Sequence, residues 1–253
     1  MSIGESIKKG FGVASKSMPV VLVLFVLGFV FSMVNLKLAP QTADANTPPS
    51  PILIVAGVIF IFLSIFLQAG SLGYVRDRIK TGAATLGSFF SSGGQYYLRI
   101  LVLGVVVSLI IGVFVLLAAL AVGLLQNVKF LSIPLAILFA ALGLYFVVML
   151  FLSPYAVVVD GKSVKQSISL SMKLVKKNIL PLLGLSALLI LIGFGIGLGL
   201  GALLAGVGYV VKQESISQIV FALFSSLVNA YLGLAVTGAF MTFYLSLSDR
   251  NNT

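Results

Sequence analysis

The sequence predicts an all-α polytopic membrane protein with six transmembrane helices. Three observations carry that prediction. Of 253 residues, 60% are hydrophobic and 9% are charged, where a soluble domain carries roughly 25% charged residues. Six stretches hold no charge at all: residues 17–36, 45–75, 100–128, 130–159, 178–211 and 215–248. Each matches or exceeds the roughly 20 residues a helix needs to cross a bilayer core. These runs are continuously apolar, whereas the lipid-facing strands of a membrane barrel alternate apolar with polar residues.

Orientation follows from the basic residues, which collect on the cytoplasmic side of membrane proteins. With the N-terminus inside, the inner segments hold thirteen of the sixteen: Lys8, Lys9, Lys16, Arg76, Arg78, Lys80, Arg99, Lys162, Lys165, Lys173, Lys176, Lys177 and Arg250. The outer loops hold Lys37, Lys129 and Lys212. Both termini are therefore expected in the cytoplasm, with the chain multi-pass in the cell membrane. The net charge of +10 is then a topology signal. Because it is divided among short juxtamembrane loops, nucleic acid is not expected as a partner.

Taken in order, residues 2–18 space Ile3, Ile7, Phe11, Ala14 and Met18 as one face of a short interfacial helix. A cleaved signal peptide ending at Ala43-Asp44-Ala45 is the rival. It is disfavoured because the apolar run Pro19–Leu36 exceeds the roughly 7–15 residues of a signal core. The first transmembrane helix is expected over about Pro19–Leu38, followed by the proline-rich outer loop Ala39–Ser50, an extended connector. Asn46-Thr47-Pro48 is no glycosylation acceptor, since proline stands third. The second helix, about Pro51–Leu72, stops at Arg76-Asp77-Arg78-Ile79-Lys80.

The second inner segment, Thr81–Arg99, sets Leu86, Phe90, Gly93 and Tyr97 on one face. Phe89-Phe90 and Tyr96-Tyr97 there suit the headgroup region. The third helix is expected over about Ile100–Leu125, then a tight outer loop Gln126–Ser132. The fourth runs from about Pro134 to Val159, with Pro154 near its inner end, where a bend costs least.

Asp160–Lys177 is a basic amphipathic segment. At about 100° per residue, Val164, Ile168, Met172, Val175 and Ile179 share a sector, with Lys162, Lys165, Lys173, Lys176 and Lys177 opposite. This is the expected contact with an anionic inner leaflet through lipid headgroups, worth about 1 kcal/mol per lysine. A positive-inside stop with some helix in it is the compatible alternative. The fifth helix, from about Asn178, carries Gly193, Gly195, Gly197, Gly199 and Gly201. Overlapping GxxxG pairs of this kind allow close helix approach, so they are the candidate packing residues, within the subunit or against a partner. An unwound stretch at a substrate site, as in transporters, is the second reading. The sixth helix, about Ile216–Ser248, is the most polar span, with Ser225, Ser226, Asn229, Tyr231, Thr237, Thr242 and Tyr244.

Offsets of 79 and 78 residues overlay Ile7/Phe11/Met18 on Leu86/Phe90/Tyr97 and those on Val164/Ile168/Val175. The candidate repeats, each an interfacial helix plus a transmembrane hairpin, are residues 2–75, 81–159 and 160–248. Any evenly spaced six-span chain shows a similar period, which is the alternative.

The stretch Leu152–Asn178, with Pro154, the apolar run to Val159, Asp160-Gly161, Ser167, Ser171, Leu174 and Lys177-Asn178, resembles the six-helix membrane domain fused to some bacterial glycerophosphodiester phosphodiesterases, and stand-alone relatives of that domain. The resemblance covers about 27 residues by motif and the rest by topology. It implies the architecture; the histidines of the phosphodiesterase domain have no counterpart in this chain.

No catalytic, cofactor-binding or metal site is expected. The six carboxylates (Glu5, Asp44, Asp77, Asp160, Glu214 and Asp249) all lie outside the spans, so the marker of proton relays and ion paths is missing. Without histidine or cysteine, their general bases, nucleophiles and metal sites are excluded. An enzyme is not expected. The expected role is structural or accessory, organising lipid or partner proteins, with a membrane-protein partner or a second copy as candidate partner. The alternative is a transporter or channel for an uncharged or lipid-like substrate.

Overall fold

In a medium without water, each backbone N–H and C=O must find its partner inside the protein, and a continuous apolar run meets that demand as helix. The structure, a computed structural model, describes residues 2–38, 51–125, 128–210 and 213–251. It is all-helical there, with no strand: α1 (Ile3–Ser15), α2 (Met18–Leu38), α3 (Pro51–Thr81), α4 (Leu86–Leu124), α5 (Lys129–Leu150), α6 (Ser153–Val159), α7 (Val164–Lys177), α8 (Ile179–Val210) and α9 (Glu214–Asn251). Six helical stretches are long and apolar enough to cross a membrane. The expected connector Ala39–Ser50, Gln126 and Lys212 lie outside the described residues.

Helix boundaries follow proline and the caps. Pro19, Pro51, Pro154 and Pro181 all fall in first turns, where the missing N–H has no intrahelical partner to lose. Pro134 lies inside α5, which begins upstream of the expected start at Pro134. The expected fourth helix is two pieces, α5 and α6, broken at Phe151–Leu152. The inner segment expected separately over Thr81–Arg99 is continuous from Leu86 with the apolar helix after it. Likewise α3 runs on through Arg76–Lys80, because a charged stop ends the membrane crossing without ending the helix. Two turns need a left-handed residue and hold glycine, Gly82 (φ +73°) before α4 and Gly161 (φ +63°) before α7.

The chain divides into two units, residues 1–95 with 180–253, and residues 96–179. In the first, α9 packs against α1, α2 and α3. Its contact with α1 is backbone to backbone. A Cβ on Gly10 would strike Ala235 O and lie 2.5 Å from Ala239 N, and one on Gly238 would lie 2.9 Å from Gly10 Cα. Ser15 Oγ shares a hydrogen bond with Tyr231 Oη at 2.8 Å, and Phe11 meets the Tyr231 ring. The end of α3 receives the start of α4 in the same manner: a Cβ on Gly70 would lie 2.8 Å from Phe89 O, and one on Gly73 would overlap the Ser92 side chain.

In the second unit, Phe114 packs at Gly143 and stacks on Phe146, holding α4 to α5. Helix α7 lies on α5 and α6.

Candidate functional site

Helix α7 begins with a capping box: Gln166 N donates to Ser163 Oγ at 3.4 Å, and Ser163 N donates to Gln166 Oε1 at 3.2 Å. Such a cap is worth about 1 kcal/mol. Of the five basic residues singled out on this segment, Lys165, Lys173, Lys176 and Lys177 are exposed and Lys162 is half-exposed. They face away from the protein, as their spacing requires.

The protein-facing side of α7 is turned from the expected apolar sector. Fully buried are Ser167, Ser171, Leu174 and Val175, whereas Val164, Ile168, Met172 and Ile179 are half-buried. The reason lies in the break between α5 and α6. Breaking the helix frees backbone groups, and Ser171 takes two of them: its Oγ donates to Met149 O at 2.7 Å and accepts from Leu152 N at 3.1 Å. A hydroxyl that repairs a broken ladder outweighs the burial of a further methyl group. Ser153 Oγ and Ser167 Oγ are buried beside this contact without a hydrogen-bond partner. At the far end, Asn178 Nδ2 donates to Leu174 O at 3.0 Å. Pro154, Ser171, Leu174 and Asn178 therefore all work in this joint.

The same construction occurs at two more places, both on segments expected from the sequence to carry a helical face. Helix α1 opens with Ser2 and Glu5 in a reciprocal capping box. Helix α4 opens with Thr85 and Ser88, each bonding the other's N–H at 3.2 Å. The backbone hydrogen bond from Ser2 is the main cause holding the Glu5 carboxyl below the ordinary value of 4.5. Counting from each cap, the fourth, eighth and eleventh residues are buried every time: Ser6, Gly10 and Val13; Phe89, Gly93 and Tyr96; Ser167, Ser171 and Leu174. The fourteenth is basic and exposed every time: Lys16, Arg99 and Lys177. Aligned on the caps, the first spacing is 83 residues and the second 78, so only the second matches the offsets read from apolar residues. In each case the capped helix packs on the end of an apolar helix, α1 on α9, α4 on α3 and α7 on α5–α6.

The candidate packing glycines of α8 stand apart from this. A Cβ built at Gly193, Gly195, Gly197, Gly199 or Gly201 meets nothing within 4 Å. Close intrachain approach belongs instead to Gly10, Gly70, Gly73, Gly93 and Gly238. Several of the polar residues of α9 bond to their own helix: Ser225 to Ala222 O, Thr237 to Gly233 O and Thr242 to Gly238 O. Ser226 Oγ meets Ser32 Oγ of α2 at 3.5 Å. Among the described residues, no group of three or more acidic, histidine or cysteine residues is placed to hold a metal ion.

An all-helical chain with six membrane-length apolar helices is a polytopic membrane protein. Residues 1–247 match the family described as Domain of unknown function (DUF7847), and the chain belongs to that family. Comparison with curated proteins and with solved structures returned no match.

Proposed function

We propose that this protein is a non-enzymatic accessory component of the cell membrane, with both termini cytoplasmic, that organises anionic lipid or partner proteins at the inner leaflet. One observation carries the reading: three capped helices bury the same register positions against ends of apolar helices and expose their basic residues. We read these as amphipathic helices lying at the inner surface, where each basic residue gains about 1 kcal/mol from anionic lipid. On this view the chain is three copies of one unit, residues 2–75, 81–159 and 160–248. The likeness of Leu152–Asn178 to the membrane domain of glycerophosphodiester phosphodiesterases fits, because its motif residues build the α5–α6–α7 joint and carry no chemistry.

Transport of an uncharged or lipid-like substrate is the alternative. It rested on the polar residues of α9 and the glycines of α8, and much of the former is satisfied within the helix itself. The test is thermal unfolding of the full chain in nanodiscs of anionic or zwitterionic lipid. The anionic discs should stabilise the protein, and the gain should shrink as salt rises. It should also shrink when Lys165, Lys173, Lys176 and Lys177 are changed together to Gln. Equal stability in both lipids, with solute flux from reconstituted vesicles, would favour the transporter instead.

A further inference from the structure

We propose that Lys16 and Arg78 form a discrete site for the phosphate of an anionic lipid headgroup, at the joint where α1 turns into α2. The proposal rests on the membrane-surface reading above and narrows it from a diffuse basic face to one place.

Two segments far apart in sequence bring the Arg78 guanidinium onto the backbone of Lys16. The Arg78 guanidinium, near the end of α3, donates through Nη2 to the carbonyl oxygen of Lys16 at 3.2 Å. A guanidinium has five N–H donors in a planar fork, and this carbonyl engages one. The fork is thereby held in place while its other donors are left to grip a phosphate in two-point fashion. Lys16 is exposed and Arg78 half-exposed, so both are open to a ligand at the surface. Asp77, the acidic residue of the same segment, pairs with Arg76 at 2.7 Å.

A guanidinium held on a backbone carbonyl recurs, this time with an uncharged acceptor residue. In the other unit Arg99, at the same fourteenth position after a cap, donates through Nη1 to Gly161 O at 2.9 Å, again across 62 residues. There the exposed carboxylate Asp160 adjoins the contact and lowers the local positive charge, which makes that joint the weaker of the two. The positive-inside bias needs only an excess of basic residues on one side. It gives no reason to anchor a guanidinium on the backbone of a residue whose own side chain is cationic and, when turned toward it, is repelled. An anion shared between them turns that repulsion into attraction.

The test is native mass spectrometry of the full chain titrated with phosphatidylglycerol and, separately, phosphatidylcholine. The clean variant is Lys16→Gln, because the backbone carbonyl, which holds Arg78, is unchanged. It should weaken the first phosphatidylglycerol step about fivefold, the equivalent of one basic residue near an anionic surface. Arg78→Gln should weaken it at least as much, while Lys80→Gln, at an exposed basic residue outside the capped helices, stays within about twofold. Unchanged affinity in Lys16→Gln overturns the site. So does an equal loss in Lys16→Gln and Lys80→Gln, an outcome that leaves the diffuse membrane-surface reading intact. Equal binding of both lipids by the unaltered chain overturns the site and that reading together. Displacement of the lipid by an equal concentration of inorganic phosphate overturns the lipid as the ligand.

Discussion

Ser167 and Ser171 sit one turn apart on the buried side of α7, both fully buried, yet truncating them should have opposite effects. Ser171→Ala removes a donor to Met149 O and an acceptor for Leu152 N. Leu152 is fully buried, so its N–H has no water to turn to. An orphaned buried group costs about 1–3 kcal/mol, and a central figure of about 2 kcal/mol lowers the midpoint by roughly 4–8 °C at this chain length. Ser167→Ala instead removes a buried hydroxyl that has no partner. The desolvation cost of that hydroxyl disappears with it, so stability should hold or rise by up to about 1 kcal/mol. Ser169→Ala, on the exposed side, is the control and should stay within about 0.5 kcal/mol. The assay is thermal unfolding in one detergent, read by fluorescence-detected size exclusion. If Ser167→Ala costs as much as Ser171→Ala, the repair of the helix break is not what sets the face of α7, and the argument fails.

Four further outcomes are expected. Gly10→Ala should destabilise by about 1–3 kcal/mol, because its Cβ meets backbone of α9 that cannot yield. Gly12→Ala, in open space, should gain up to about 1 kcal/mol of helix propensity, so equal midpoints for the pair would refute the close contact. Gly197→Ala should likewise leave a monomer unharmed, and a loss confined to a cross-linkable oligomer would place a second copy on that face. In the cysteine-free chain, an impermeant thiol reagent applied from outside should label Gln213→Cys and spare Ser169→Cys. Outside labelling at Ser169 would reverse the orientation, and its exposure removes burial as an explanation for silence. Glu5→Gln should remove the acid sensitivity of α1. The Glu5 pKa is depressed in the folded chain, so its contribution is present above about pH 4.5 and is lost as pH falls below it. Amide exchange across α1 at pH 3.5 and pH 6.5 checks this.

The six spans were legible because hydropathy and length answer the same question, whether a helix can satisfy its backbone in lipid. The capped helices were half legible. Ser2-x-x-Glu5 and Ser163-x-x-Gln166 have the capping-box spacing, a signal present but not used. Thr85–Ser88 departs from that pattern, with a hydroxyl in place of the usual carboxylate or amide. The protein-packed side of α7 was not legible, for a physical reason. A hydropathy wheel finds the side that avoids water, but here small hydroxyl residues meet the protein and the apolar sector is only half-covered. Glycine spacing, too, does not name its partner. The run Gly193–Gly201 offers every register for close approach, yet the tightest approach to another helix's backbone is made by Gly10, whose partner in α9 lies more than 220 residues away in sequence. No local pattern announces which surface will arrive.

That contact also sets an order of assembly. Residues 96–179 form a unit of contiguous sequence, and every partner of α7 described above is already made when α7 leaves the ribosome. Helix α1 is synthesised before its partner α9, with seven helices between them. Ser15 and Tyr231 are separated by 216 residues, roughly 10–40 s of synthesis at common elongation rates of about 5–20 residues per second. Through that interval Val13 and Ala14 have no α9 to cover them, and the membrane surface is the shelter at hand. A nascent chain stalled before α9 should therefore show α1 open to a soluble protease or thiol reagent, and extension through α9 should close it. Synthesis of α9 and concealment of α1 become a single event.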